Sequence, residues 1–423
     1  MGTNAPEYGA PRTLWRKLAE HPPPGEGAVR RGWRSPVRGV RLTSVLGLVL
    51  LGTLPLVIVT GLLDYAAYGP QFRQAFPLDV AWLRLPPFDW PTRPSWLFRL
   101  TQGLHVGLGI VLIPVVLAKL WSVIPKLFTW PPARSVAQVL ERVSLLLLVG
   151  GILFEIATGV LNIQYAYLFG FDFYTAHYFG AWVFIGAFVA HVVIKLPRAV
   201  AALRRSLPDP DLAPLRPGPV TLSRRGVLAL VGGGSLLLAL LTVGQSLDGP
   251  LRRTALLLPR GRNPGEGPNG FQVNRSFAAA GIQPALTGPA WRLTLTGGGR
   301  TVRFDRAALL AMPQHTARLP IACVEGWSTQ QTWTGVRLAD LAALAGVPAP
   351  ASAHVVSLER TGLFRQATLQ ANQVADRDAL LALRVNGADL SADHGYPARI
   401  IVPALPGVHC TKWVASIDFR TDD

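Results

Sequence analysis

Two cysteines and eight histidines carry much of the chemistry open to this 423-residue chain. Cys323 stands in Ile321-Ala322-Cys323-Val324-Glu325-Gly326-Trp327-Ser328, and Trp333-Thr334-Gly335-Val336-Arg337-Leu338 follows. With no Cys-x-x-Cys partner and no local histidine array, this thiol does not build a tetrahedral zinc site. One soft thiolate suffices for a metal whose other donors come from a sulfur-rich organic ligand such as the dithiolene of molybdopterin. Two plainer uses stand beside that one: an inert buried thiol, or a disulfide to Cys410.

A second set of donors lies in apolar surroundings. His105, His177 and His191 fall in runs long enough to cross a bilayer, where an imidazole needs a partner. His177 and His191 are about four helical turns, roughly 21 Å, apart on nearly the same helix face. His105 and His177 lie at similar depth and together suit the two axial positions of a low-spin haem iron, an electron carrier with no open site. Gly103, Gly107, Gly109 and Gly180 would let helices and a flat macrocycle approach. The plainer use of all three histidines is interhelical hydrogen bonding. Glu155, mid-span, is a candidate for proton handling near a quinone, or for pairing with a neighbour such as Asn162.

The elements that must position these residues differ between the two parts of the chain. Five apolar runs, at about 42–63, 97–121, 139–163, 175–196 and 227–247, predict membrane spans. The net charge of +17 is not gathered on one soluble tract, which argues against a nucleic-acid partner. It falls at Arg30, Arg31, Arg34, Arg38 and Arg41, at Lys119, Lys126 and Arg134, and at Arg198, Arg204, Arg205, Arg224 and Arg225. Alternating spans put all of these on one side, the cytoplasm by the positive-inside rule. The predicted organisation is a basic tail (1–41), a four-span domain (42–196), a cytoplasmic linker (197–225), a fifth helix (226–247), a connector (248–270) and a mixed α+β domain (271–423) outside the cytoplasm. Within that last domain the patterning predicts strands at 291–296, 301–304, 354–358, 399–402 and 413–419 and a helix at 338–345.

The first four spans resemble the bacterial cytochrome b membrane subunits of nickel hydrogenases and formate dehydrogenases. That resemblance implies an all-α four-helix haem bundle with ligands at His105, His177 and His191. The histidine which that family carries in its first span is missing, so His191 has three uses: a second haem with some other ligand, a five-coordinate haem, or a hydrogen bond. Ser223-Arg224-Arg225 resembles a twin-arginine export signal, or is the basic flank of a helix.

The Cys-Val-Glu-Gly-Trp-Ser and Trp-Thr-Gly runs resemble the sulfite oxidase family of molybdenum enzymes, most of all its periplasmic methionine sulfoxide reductases. A second run agrees in order: His394-Gly395-Tyr396-Pro397-Ala398-Arg399, Val402-Pro403, then Gly407 to Lys412-Trp413. The resemblance implies that Cys323 is the molybdenum ligand. It implies further that His394, Arg399, Cys410, Thr411, Lys412 and Asn274 contact molybdopterin, and that His409 stands where relatives often carry Lys or Arg. Taken singly, Arg399 could be a strand-edge charge and Lys412 could snorkel beside Trp413.

Together these features predict a plasma-membrane oxidoreductase with molybdopterin and haem b. Electrons would come from a quinol or another membrane carrier, and oxygen would be removed from a small-molecule or protein S-oxide or N-oxide. Glu325, beside the thiol where sulfite-oxidising relatives place arginines, disfavours an anionic substrate. The rival readings are a sulfite-oxidising dehydrogenase running electrons toward the membrane, and a membrane-anchored binding domain without metal.

Overall fold

In the computed structural model the described residues are 20, 35–68, 79–80, 83–84, 88–128, 135–164, 166, 168–204, 212, 222–258, 265–362 and 365–421. Most of the basic tail, including Arg30, Arg31 and Arg34, lies outside them, as do Arg134, Arg205 and most of the linker between the fourth and fifth spans.

Leucine, valine and glycine dominate the N-terminal part and no charged stripe recurs at helical spacing, so the helices there are apolar all round, as lipid-facing helices are. They are α1 (Val40–Tyr68), α2 (Leu97–Val111), α3 (Ile113–Leu127), α4 (Val136–Ile163), α5 (Phe173–Arg204) and α6 (Arg224–Thr242). Counting α2 and α3 as one rod, five helices are long and apolar enough to cross a membrane. The second span is interrupted at Leu112 because Pro114, in the first turn of α3, has no N–H for the carbonyl of Ile110. Each predicted span is found, and each extends or shifts by a few residues at its ends.

The chain forms two compact units: residues 1–56, 110–160 and 171–237, and residues 57–109, 161–170 and 238–423. In the first unit, polar side chains meet inside apolar surroundings. Lys119 Nζ donates to the Thr43 carbonyl at 2.6 Å, and Thr43 Oγ1 donates to Ser122 Oγ at 3.0 Å. Lys195 and Glu141 form an ion pair.

The second unit contains the C-terminal α+β domain. Its strands are β1 (Leu293–Gly297), β2 (Arg300–Phe304), β3 (His315–Ala322), β4 (Ser328–Arg337), β5 (Ser352–Ser357), β6 (Gln366–Gln370), β7 (Leu380–Val385), β8 (Ala388–Asp389), β9 (Arg399–Ile401) and β10 (Val414–Arg420). Short helices α7 (Arg306–Ala311), α8 (Leu338–Leu344) and α9 (Ala371–Ala375) intervene. One sheet runs β8-β7-β4-β3, with β9 also pairing with β7; the other runs β2-β1-β10-β5-β6. All pairings are antiparallel except β10 with β1.

Strands β3, β4, β6, β7 and β8 went unpredicted. Pro320 interrupts the β3 pattern and is tolerated because β3 is an edge strand. The run Leu380-Leu381-Ala382-Leu383-Arg384-Val385 is buried nearly throughout, so it shows no period-two alternation.

The core beneath the site is built from Phe271, Leu319, Ile321, Trp333, Leu380, Val385, Ile401 and Cys410.

Candidate redox-cofactor site

Strands β3 and β4 form a hairpin closed where Ala322 pairs with Ser328, so Cys323 to Trp327 are its five-residue tip. Two backbone bonds shape the tip: Cys323 N–H to the Trp327 carbonyl at 2.9 Å, and Gly326 N–H to the Cys323 carbonyl at 3.0 Å. Gly326 has φ +89°, a conformation costly for residues with a Cβ. Farther along β4 the ladder shifts register between Thr334 and Gly335. A Cβ at Gly335 would lie 2.0 Å from the Leu381 carbonyl oxygen, so only glycine lets the strands close there. Trp333, just before, fills the core completely. The conspicuous Trp-Thr-Gly run is thus a packing device beneath the site.

The second motif is brought to the same place by backbone contacts. Gly407 N–H donates to the Ala322 carbonyl at 2.7 Å, one residue before the thiol, and Ala322 bridges Pro406. Ile400 N–H donates to the Thr411 carbonyl at 2.9 Å, which holds the 402–413 loop against β9.

Cys323 is only 2% exposed, and both cysteines are free thiols, so the disulfide alternative does not hold. Asn274 Nδ2 donates to Cys323 Sγ at 3.2 Å. Its Oδ1 accepts from Arg275 N–H at 2.8 Å, which fixes the amide orientation. Burial, and then the Glu325 carboxylate, push the Cys323 thiol well above its ordinary range. The thiolate therefore forms only when a cation replaces the proton.

Arg399 is buried with its guanidinium 5.5 Å from the Trp333 ring centroid. Burial lowers its pKa to about 10, against the pull of Cys410 and Cys323. Lys412 Nζ donates to the carbonyls of Arg275 (2.8 Å) and Asp393 (2.7 Å). Burial, then the charge of Arg399, bring it down to about 7. The His394 ring stacks on Phe271 at 3.7 Å between centroids, with Nε2 3.3 Å from the Phe271 carbonyl. Burial, Arg399 and Lys412 depress it to about 3, so it is neutral.

Among the described residues, Arg399 Nε, Thr411 Oγ1, Trp327 Nε1 and Glu325 Oε2 are buried without a hydrogen-bond partner. The orphaned Arg399, Thr411 and Trp327 donors, beside a lone thiol and two basic side chains, suit a large anionic, hydrogen-bonding group, as a phosphate-bearing pterin is. The residues present therefore fit molybdopterin.

Asn274, Cys323, His394, Arg399, Thr411 and Lys412 are thus brought into one region. Cys410 differs: its side chain is part of the hydrophobic core, and burial raises its thiol pKa. His409 turns away. Its Nε2 lies 2.7 Å from the carbonyl of Tyr68, the last residue of α1, and burial lowers its pKa to about 4, so a neutral ring donates there. Sequence reasoning missed Arg275, which pairs with buried Glu359 at 2.8 Å and lends its carbonyl to Lys412. Its only signal was adjacency to Asn274.

Two of the three membrane histidines have rings oriented by hydrogen bonds. His105 Nδ1 lies 3.0 Å from the Val57 carbonyl, and its ring fills the space a Cβ at Gly61 would take. His177 Nδ1 lies 2.9 Å from Thr158 Oγ1 and 3.1 Å from Glu155 Oε2. The expected neighbour of Glu155, Asn162, is replaced by His177, because Asn162 lies almost two turns away along α4 while α5 presents the imidazole directly. In both histidines Nδ1 is engaged, and with Nδ1 as proton donor the lone pair able to bind a metal is on Nε2.

The fold and the site define a domain that gathers one buried cysteine thiol with the basic side chains of Arg399 and Lys412 and with buried donors that lack partners. The family described as Oxidoreductase molybdopterin binding domain matches residues 280–423. Mouse mitochondrial sulfite oxidase is 28% identical over 168 residues, 33% of this chain and 31% of its own. The uncharacterized oxidoreductase YuiH of Bacillus subtilis is 32% identical over 114 residues, 27% of this chain and 56% of its own. The sulfane dehydrogenase SoxCD of Paracoccus pantotrophus is similar in structure over 31% of this chain and 39% of its own, at 25% identity and a TM-score of 0.29. The C-terminal domain is therefore a molybdopterin-binding oxidoreductase domain of the sulfite oxidase family, carried on a chain with five potential membrane helices. The chain spans about a third of the length of the sulfite oxidases it matches.

Proposed function

We propose that this chain is a plasma-membrane S-oxide or N-oxide reductase that draws electrons from a quinol through a b-type haem. For a sulfoxide, the net reaction is quinol plus sulfoxide giving quinone, thioether and water, which balances two electrons and two protons. Molybdenum in molybdopterin supplies two-electron oxygen-atom transfer, and haem passes single electrons. Cys323 provides the thiolate ligand, Asn274 donates a hydrogen bond to its sulfur, and Arg399, Thr411 and Lys412 hold the pterin phosphate side. Neutral His394, stacked on Phe271, lines the site without adding charge. His105 and His177 would serve as haem-iron ligands, and His191 would serve a second haem or a hydrogen bond. The basic flanks place the N-terminus in the cytoplasm and residues 271–423 outside it, with a twin-arginine start at Arg224-Arg225 exporting the loaded domain.

The observation that carries this reading is the buried thiol held by Asn274 beside orphaned Arg399 and Thr411 donors. The S-oxide preference rests on Glu325, 5% exposed and close enough to Cys323 to raise its thiol pKa. A carboxylate beside the thiol opposes a sulfite dianion. In membranes whose haem has been reduced by quinol, methionine sulfoxide should reoxidise it. Haem reduction on adding sulfite would overturn this direction and favour the sulfite-oxidising alternative.

A further inference from the structure

The loop that carries Cys323 is held from outside its own domain, within the second compact unit. Two carbonyls of the tip and the first carbonyl of β4, at alternate residues, each accept a hydrogen bond from elsewhere in the chain. Gln102 Nε2, on α2, donates to the Val324 carbonyl at 2.6 Å. Ser246 Oγ donates to the Gly326 carbonyl at 2.7 Å, and Arg252 Nη2 to the Ser328 carbonyl at 2.8 Å. Arg252 is itself buried and also donates to the Gln245 carbonyl at 2.5 Å. Arg99, again on α2, donates to the Ser246 carbonyl at 2.8 Å, and Ser328 Oγ donates to the same carbonyl at 3.2 Å. Close packing reinforces the clasp: a Cβ at Gly326 would stand 2.8 Å from Cβ of Val106.

The helix in question is the one that bears His105. Gln102 and Val106 lie four residues apart and share a face, and His105, three residues after Gln102, neighbours it on that turn. Other contacts in the unit do not involve the Cys323 loop: Arg93 pairs with Asp376 and Asp378 at 2.8 and 2.6 Å, and Trp90 Nε1 donates to the Ala404 carbonyl at 2.7 Å. The chain thus has two kinds of junction, one through Arg93 and Trp90 and one made on the metal-ligand loop and the start of β4.

We infer that the second junction is the electron-transfer contact, with Gln102 and Ser246 as positioning residues that seat the Cys323 loop on the helix turn of His105. This rests on the relay reading above. The path runs from Sγ along the backbone to the Val324 carbonyl, across one hydrogen bond to the Gln102 amide, and down one helical turn to the imidazole. Two single electrons cross it for each sulfoxide converted, with two protons, to thioether and water; the quinol supplies both electrons. No diffusible electron carrier is required between the two centres.

The test uses the full chain carrying both cofactors, with Gln102→Leu, Ser246→Ala and the two combined, and Arg93→Ala as a control at the first junction. Haem is reduced by a light flash, and its reoxidation by the molybdenum centre is followed optically, with the Mo(V) resonance recorded in parallel. Molybdenum and haem contents are measured for every variant. The expected result is loss of the fast phase in the Gln102 and Ser246 variants at full cofactor content, and its retention in Arg93→Ala. A second readout needs no cofactor: amide hydrogen exchange at 323–328 in the cofactor-free chain should quicken in Ser246→Ala and Gln102→Leu and stay unchanged in Arg93→Ala. A fast phase retained by the double variant, or unchanged loop exchange, overturns this inference and leaves the relay reading standing. A wild-type chain that binds no haem overturns both.

Discussion

Lys412→Met should abolish a pH dependence of cofactor affinity that the wild-type site must show. Nζ is held by two carbonyls, of Arg275 and Asp393, and lies 5.2 Å from the Trp413 ring. Burial and the neighbouring Arg399 lower its pKa from 10.5 to about 7, so near neutrality only about half of the cofactor-free molecules carry the ammonium. A phosphate whose second pKa is about 6 is already doubly ionised above neutrality, so it does not contribute to the change. Binding restores the ammonium and takes a proton from solution, which makes affinity proportional to the protonated fraction of the free site. Between pH 7 and 8.5 that fraction falls about fifteenfold, or ~1.6 kcal/mol of binding free energy, and the limiting slope is about tenfold per pH unit. For the cofactor-free fold the sign is opposite: the unfolded chain holds more protons between about pH 7 and 10.5, so this lysine lets stability rise with pH across that window. The assay is association of molybdopterin with cofactor-free protein, followed by pterin fluorescence over this pH range. Lys412→Met should bind more weakly with a flat profile, and Lys412→Arg should bind with a flat profile because a guanidinium does not titrate there. A flat wild-type profile, or the same slope in Lys412→Met, would refute the linkage.

Other outcomes follow from the same geometry. Cys323 in the cofactor-free protein should resist alkylation at pH 8, because burial and Glu325 keep it protonated, while denatured protein should react readily; mass spectrometry on both states checks this. Gly326→Ala forces a side chain into φ +89° against Val106, and should cost about 1–3 kcal/mol, seen as a lowered melting temperature. Asn274→Leu removes the donor to Sγ and leaves a more electron-rich sulfur, so the molybdenum potential should fall, by about 20–30 mV for a bond worth ~1–1.5 kcal/mol over the two-electron couple. His105→Leu should remove the b-type haem spectrum, whereas His191→Ala should leave it in place at unchanged or halved stoichiometry, counted by pyridine haemochrome.

Much of the site was legible because its parts are local runs whose chemistry is unusual. The Cys-Val-Glu-Gly-Trp run and the later His-Gly-Tyr-Pro-Ala-Arg run both stand out in the sequence and the fold brings them together, although the hairpin that carries Cys323 was not foreseen. The five apolar runs announced their helices by length alone. What escaped was tertiary. Nothing in the sequence indicated that Gly335 is shaped by the Leu381 carbonyl, or that Cys410 contributes to the core. His409 leaves the phosphate side because a helix end 341 residues earlier offers a carbonyl. Gln102, Ser246 and Arg252 look like ordinary helix-end and connector residues, and only the folded chain places them on the Cys323 loop. Glu155 was recognisable as a costly mid-span carboxylate, but its partner on α5 was not.

X-ray absorption at the molybdenum edge of the purified, loaded chain tests the central claim most directly. The account predicts three sulfur neighbours, two from the dithiolene and one from Cys323, falling to two in Cys323→Ser. An identical sulfur shell in wild type and Cys323→Ser would contradict it.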